Sequence, residues 1–332
     1  MDTLFLLTVL VVIFALAFDF INGFHDTANA IATSVSTKAL PPKVAIIMAA
    51  SMNFIGAITF TGVAKTITKD IVDPFAIENG TVVILAALLS AIAWNLITWY
   101  YGIPSSSSHA LIGSIAGAAI SAAGFGILNY GGFLKILEAL ILSPFLALAV
   151  GFLMMSLFKV LFRNSNLYKT NRGFRTFQIF TAALQSFTHG TNDAQKAMGI
   201  ITMALIAGEF TTSTDIPLWV RIASATSMGI GTSIGGWKII KTVGGKIMKI
   251  RPINGAAADL SSALIIFGAT FIHLPVSTTH VISSAIMGVG SAQRVKGVKW
   301  GVARKIVFTW IITLPISAVL AAIIYQIINL LF

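Results

Sequence analysis

Two carboxylates stand where a chain this apolar has little use for any. Asp26 lies in residues 20–32, reading FINGFHDTANAIA, and Asp193 in residues 186–200, reading SFTHGTNDAQKAMGI. An ionised acid at bilayer depth costs about 2.5–3.5 kcal/mol on insertion scales. Gly23, Asp26 and Ala30 recur as Gly190, Asp193 and Ala197 at one offset, so the feature is duplicated. In the first copy Asp19, Asn22, Asp26, Asn29, Thr33 and Ser36 fall every three or four residues, along one face of a helix. Gln185, His189, Asn192 and Lys196 form the matching stripe, with Ser186 and Asp193 beside it. Carboxylate, amide and carbonyl oxygens are hard donors, suited to a small hard cation rather than a transition metal. Asp26, Asp193, Asn22, Asn192, Gln185 and Asn53 are the expected ligands of such a cation, with sodium the favoured ion. Gly23 and Gly190 would let the helix open and offer carbonyls to it. Plain interhelical hydrogen bonding is the competing role for Asn22, Asn29 and Gln185.

A second duplicated motif carries the opposite chemistry. Residues 104–109 read PSSSSH and residues 275–280 read PVSTTH, and Pro104, Ser106, His109, Ile115 and Gly117 match Pro275, Ser277, His280, Ile286 and Gly288 at a constant offset. Proline suits a first helical turn, and Ser or Thr caps it. The unpaired amides of a helix start bind anions. Two such starts converging at mid-membrane would cage a tetrahedral oxyanion with Ser105, Ser106, Ser107, Ser108, Ser277, Thr278 and Thr279, assisted by Asn29 and Lys196. His109 and His280 are expected as structural donors within the turns. His25 and His189 sit beside the acids, and the ordinary pKa of about 6.5 makes His25 a candidate proton carrier. Serine, histidine and aspartate together also raise an intramembrane nucleophilic hydrolase. Against it, the constellation is duplicated, lacks a Gly-x-Ser-x-Gly elbow and singles out no serine. Separate cation-like and anion-like sites favour coupled transport over a channel.

These motifs must be positioned by membrane helices. Of 332 residues, 56% are hydrophobic and 10% charged, against about 25% charged in soluble domains. With no cysteine, disulfides and thiolate metal sites are excluded. The first apolar run, 4–20, lacks a basic leader, so no cleavable signal is expected. A net charge of +11 suggests nucleic acid only until its distribution is read. Residues 38–43, 159–175, 238–251 and 294–305 hold seventeen of the 22 basic residues and no acid, which places them in the cytoplasm. Asp2 and residues 65–78 (with Asp70, Asp73 and Glu78), 135–138 and 209–221 are acidic or mixed and should face outside. The charge is a topology signal in a multi-pass protein of the cytoplasmic membrane, and nucleic acid is excluded as a partner.

Spans are expected over 4–36, 44–64, 81–101, 139–162, 177–207, 218–237, 256–273 and 306–332, the first broken or extended around Gly23. Helical hairpins should run through 102–120 and 274–290. Each half then holds an odd number of net crossings, so the second is inverted relative to the first. The expected fold is an all-α polytopic membrane protein with two inverted-topology repeats, 1–158 and 176–332. Each repeat has broken helices and a hairpin, 159–175 is a basic cytoplasmic linker, and both termini lie outside.

The runs GFHDTANAIAT, SFTHGTNDAQKAMGI, PSSSSH and PVSTTH resemble the inorganic phosphate transporter (PiT) family over nearly the whole chain. The resemblance implies phosphate symport, driven by sodium in some members and by protons, or as a metal–phosphate complex, in others. Members with a Gly-Ala-Asn-Asp core carry Asn where His25 stands, and some eukaryotic relatives carry Glu at the position of Asn53. Sulfate permeases share a similar architecture. Two like charges about 5 Å apart at an effective dielectric near 20 repel by roughly 3 kcal/mol. Lys196 is the sole Lys or Arg near either acidic motif, so cations or protons must occupy the carboxylates before an anion binds. The expectation is a non-enzymatic phosphate importer working by alternating access. Sodium is the co-substrate and protons the alternative; no cofactor is expected, phosphate, sodium and lipid are the partners, and a homodimer is left open.

Overall fold

The computed structural model describes residues 3–73, 79–234 and 236–330; Asp2 and Glu78 lie outside the described residues. Long apolar runs of good helix formers, punctuated by Gly, Pro and polar clusters, fold into helices, and no strand occurs among the described residues. The first half contains α1 (Thr3–His25), α2 (Thr27–Ser36), α3 (Pro42–Thr59), the short α4 (Gly62–Asp70), α5 (Gly80–Tyr101), α6 (Ser107–Ala123) and α7 (Tyr130–Leu161). The second contains α8 (Leu167–Ala207), α9 (Leu218–Ile234), the short α10 (Trp237–Lys241), α11 (Pro252–Phe271), α12 (Thr278–Arg294) and α13 (Trp300–Asn329). Taking α1 and α2 as one span, six segments among the described residues are long and apolar enough to cross a membrane: α1–α2, α3, α5, α7, α11 and α13. Phe145 and Leu153 on α7, and Phe308 and Ile311 on α13, are exposed, as lipid-facing side chains are. The protein is an all-α polytopic membrane protein.

The halves interlock. Helix α1 packs on α9 while α8 packs on α3, and α6 packs on α13 while α12 packs on α7. Glycines make these crossings close. A Cβ on Gly23 would fall 2.4 Å from the Met228 carbonyl oxygen of α9, and one on Gly190 would fall 2.3 Å from that of Asn53 on α3. Gly117 and Gly288 do the same against Ala318 of α13 and Leu148 of α7. Pro144 and Pro315 sit inside α7 and α13, at the offset that relates Pro104 to Pro275.

Several boundaries differ from expectation for physical reasons. The interruption in the first span falls at Asp26, not Gly23, and α8 runs unbroken past Gly190. Both glycines serve close approach of neighbouring backbones rather than helix opening. Residues 159–175 are mostly helical, because α7 ends at Leu161 and α8 resumes at Leu167. At 1.5 Å per residue the 41 residues of α8 reach about 60 Å, twice the hydrocarbon thickness, although α8 and α9, over the expected spans 177–207 and 218–237, are not among the six segments above. Residues 62–70, expected as the end of a span and an exposed loop, form α4.

Two apolar clusters fill the interior. On the first span one cluster ends at Phe18 and the other begins at Ala28; on α8 one includes Phe174 and the other begins at Ala194. Asp19, Asn22 and Asp26 on the first span, and Gln185, His189, Asn192 and Asp193 on α8, lie between them, so these acids stand in a layer flanked by hydrocarbon.

Candidate functional site

Each hairpin is built by the same local grammar. Helix α5 ends at Gly102 (φ +65°) and α11 ends near His273 (φ +63°), both left-handed, the conformation that closes helix C-termini. Ile103 N–H donates to the Thr98 carbonyl and Leu274 N–H to that of Ala269, both at 2.9 Å. Past Pro104 and Pro275, Ser106 and Ser277 cap α6 and α12, accepting from the His109 and His280 amides at 3.1 and 3.2 Å. The prolines precede the caps rather than entering the first turn, because Ser106 and Ser277 keep extended backbone at the cap. Capping serves the third amide and leaves the first two without an intrahelical partner. His109 Nδ1 also meets Ser106 Oγ at 2.8 Å. The His109 and His280 rings lie 4.5 Å apart. Repeat-related residues in mutual contact mean that the two helix starts meet.

Asp26 is held from both halves. Ser107 Oγ donates to its Oδ2 at 2.5 Å and to Asn22 Oδ1 at 3.1 Å. Thr279 Oγ1, from the opposite half, donates to its Oδ1 at 2.9 Å and accepts from Asn29 Nδ2 at 2.8 Å. His25 Nδ1 lies 2.7 Å from the same Oδ1, and His25 Nε2 lies 3.0 Å from Thr98 Oγ1, which accepts from Ser105. Asp193 is held in parallel fashion. Thr278 Oγ1 donates to its Oδ2 at 3.0 Å, Lys196 Nζ sits 2.5 Å from its Oδ1, and His189 Nε2 lies 3.2 Å from its Oδ2. Ser108 Oγ donates across to the Val276 carbonyl at 2.8 Å. All these side chains are buried.

Not every residue read from the stripes reaches the carboxylates. Asn192 spends its amide on the second hairpin, donating to Thr270 and the Leu274 carbonyl and accepting from the Val276 amide. Asn53 ties α3 to Thr27, Thr232 and His189 Nδ1. Gly23 lies inside α1. Among the described residues Gln185 is buried with neither polar side-chain atom hydrogen-bonded, and Asn22 Nδ2 and Asn29 Oδ1 are likewise unpartnered. The structure adds polar groups absent from the expected ligand set. Asp259 on α11 accepts from Thr33 at 2.6 Å and Thr181 at 3.3 Å. The Asn95 side chain on α5 is fully buried and without a partner among the described residues, as are both side-chain oxygens of Asp19. Asp259, an acid within an apolar span, was legible on cost alone. Asn95, one turn before Thr98, carried no second signal.

Comparisons with known proteins give this arrangement a lineage. The family model described as "Phosphate transporter family" matches residues 22–170 and 163–321. A probable low-affinity inorganic phosphate transporter of Bacillus subtilis is 74% identical, covering 100% of both chains. One of the same description from Rhizobium meliloti is 44% identical over 94% of this chain and 93% of its own. A solved structure titled "The sodium-dependent phosphate transporter" superposes with a TM-score of 0.87 at 26% identity, covering 98% of this chain and 100% of that one. Members of this family are transporters rather than enzymes. A duplicated acid, a duplicated capped helix start and near-complete coverage by these relatives lead to one conclusion: the chain belongs to the phosphate transporter family.

Proposed function

We propose that the chain imports inorganic phosphate by symport with sodium, alternating access around the layer where the α6 and α12 starts meet Asp26 and Asp193. One observation carries the reading: the hydroxyls of Ser107, Thr278 and Thr279 donate to the two carboxylates. Donors suited to an oxyanion and acceptors suited to a cation thus satisfy each other. Phosphate can take the hydroxyls only when something else takes the carboxylate oxygens. A sodium ion at Asp26, with Asn22 and Asn29 oxygens beside it, releases Ser107 and Thr279 to the anion and cancels the repulsion between anion and acid. Cation and phosphate binding are therefore mutually favourable, which is the thermodynamic content of coupling.

The gates are the hairpin turns with the short helices against them. Thr242, just past α10, donates to the Gly102 carbonyl at 3.1 Å and Lys238 Nζ to that of Tyr100 at 2.7 Å. Thr66 on α4 donates to the His273 carbonyl at 2.8 Å. Each turn is closed by a short helix of the opposite half. With the basic stretches cytoplasmic by the positive-inside rule and the halves inverted, α10 closes the inner gate and α4 the outer.

The His25–Asp26 contact at 2.7 Å supports a second reading, in which the pair carries a proton instead of sodium. Reconstituted protein given labelled phosphate separates the two. Sodium coupling predicts uptake only under an inward sodium gradient. Uptake indifferent to sodium and abolished by collapsing a proton gradient overturns it in favour of the second reading. Sulfate uptake undiminished by excess phosphate overturns the substrate.

A further inference from the structure

The two halves differ where they should match. Three residues after Asp26 stands Asn29, and three after Asp193 stands Lys196. Asn29 gives its amide to Thr279, whereas Lys196 sets its ammonium 2.5 Å from Asp193 Oδ1, both side chains at 0% exposure. An ammonium carries a full positive charge and donates only, so it fills at Asp193 the place a free cation would fill. The other oxygen of Asp193 accepts from Thr278, so each oxygen of that carboxylate has a donor from the protein itself. Asp26 is met by two hydroxyls and the imidazole of His25, with no lysine or arginine among the described residues paired to it.

We propose that Lys196 is a tethered counter-ion occupying the cation position of the second half, so that the chain couples each phosphate to one cation fewer than two equivalent halves would. The transported cation is then the one at Asp26. This rests on the cation-symport reading above, with either sodium or protons as the driving ion. The asymmetry has a cost in driving force. Removing one co-transported cation lowers the attainable phosphate accumulation by that cation's concentration ratio across the membrane multiplied by the membrane-potential factor for one charge. Asp19, whose side-chain oxygens are buried and without a hydrogen-bond partner among the described residues, keeps its identity in both variants below, and Asn29→Lys also leaves Lys196 in place.

The test is the kinetic order of phosphate uptake in its driving cation, in proteoliposomes, for wild type and Lys196→Asn. The inference predicts an order of one for wild type and two for the variant, whose second half would then copy the first. A wild-type order of two, or a folded Lys196→Asn protein whose order stays at one, overturns it. Should that variant not fold, Asn29→Lys carries the reciprocal test. It places an ammonium beside Asp26 and should abolish cation dependence, and an unchanged order overturns the inference. Should neither variant fold, the wild-type order decides alone. Wild-type uptake insensitive to both sodium and protons overturns the symport reading and the inference with it, whereas an order of two with cation dependence intact overturns the inference alone.

Discussion

Ser107 and Thr279 grip Asp26 from opposite halves of the chain, and most of the proposed coupling passes through those two hydroxyls. Removing either donor leaves the carboxylate one partner short and, in the proposed mechanism, the anion one donor short. A hydrogen bond to a charged group contributes about 1.5–3 kcal/mol. Ser107→Ala and Thr279→Ala should therefore each raise the phosphate concentration for half-maximal uptake by roughly tenfold or more. Concentration-dependent uptake checks this, and unchanged half-saturation in both would remove the hydroxyls from the site. Asp26→Asn and Asp193→Asn should each abolish coupled uptake while the protein still elutes as a folded species in detergent; near-normal transport in either would remove that residue. At this scale the sequence was informative where chemistry was doubled. The acids and the Ser/Thr runs announced themselves by repetition. Which amide served the neighbourhood of the carboxylates was not legible, because Asn192 and Asn22 both stand on the stripes within one helical turn or so of an acid. One serves the hairpin backbone and the other Ser107, and only tertiary packing distinguishes them.

At the scale of elements, most helices and the two hairpin turns were readable from apolar length and the Pro/Ser runs, but the place of the first-span break and the continuity of α8 were not. Gly23 and Gly190 looked like hinges, yet both are crossing points where a neighbouring carbonyl leaves no room for a methyl group. Glycine permits both roles, and single-chain periodicity cannot tell a bent helix from a closely packed one. Gly190→Ala should therefore destabilise the protein by about 1–3 kcal/mol through overpacking against Asn53, measured as a lower unfolding temperature in detergent. A neutral effect would restore the hinge reading. The short helices α4 and α10 were missed because their charged residues read as loop. Their contacts with the opposite hairpin make them the proposed gates. Thr66→Val removes the bond to the His273 carbonyl, and should increase labelling of the buried layer by water-soluble reagents from the outer face relative to wild type.

At the scale of the whole molecule, the exchange of packing partners between halves is what brings Thr279 to Asp26. Neither half could build the proposed site alone, since each carboxylate lies against a helix start and the two starts touch through His109 and His280. The all-helical membrane architecture and the duplicated motifs were legible from composition and offset. The interlocking was not, because nothing local in α6 encodes that it packs on α13. The central claim is that cation and phosphate bind together because they unlock a shared set of hydrogen bonds. The most direct test is the phosphate dissociation constant of purified protein, with and without saturating driving cation, in wild type and Asp26→Asn. A coupling free energy of about 1–3 kcal/mol predicts that the cation tightens phosphate binding by roughly 5- to 150-fold in wild type and not in the variant. Equal phosphate affinity in wild type with and without sodium, and across pH, would contradict the account.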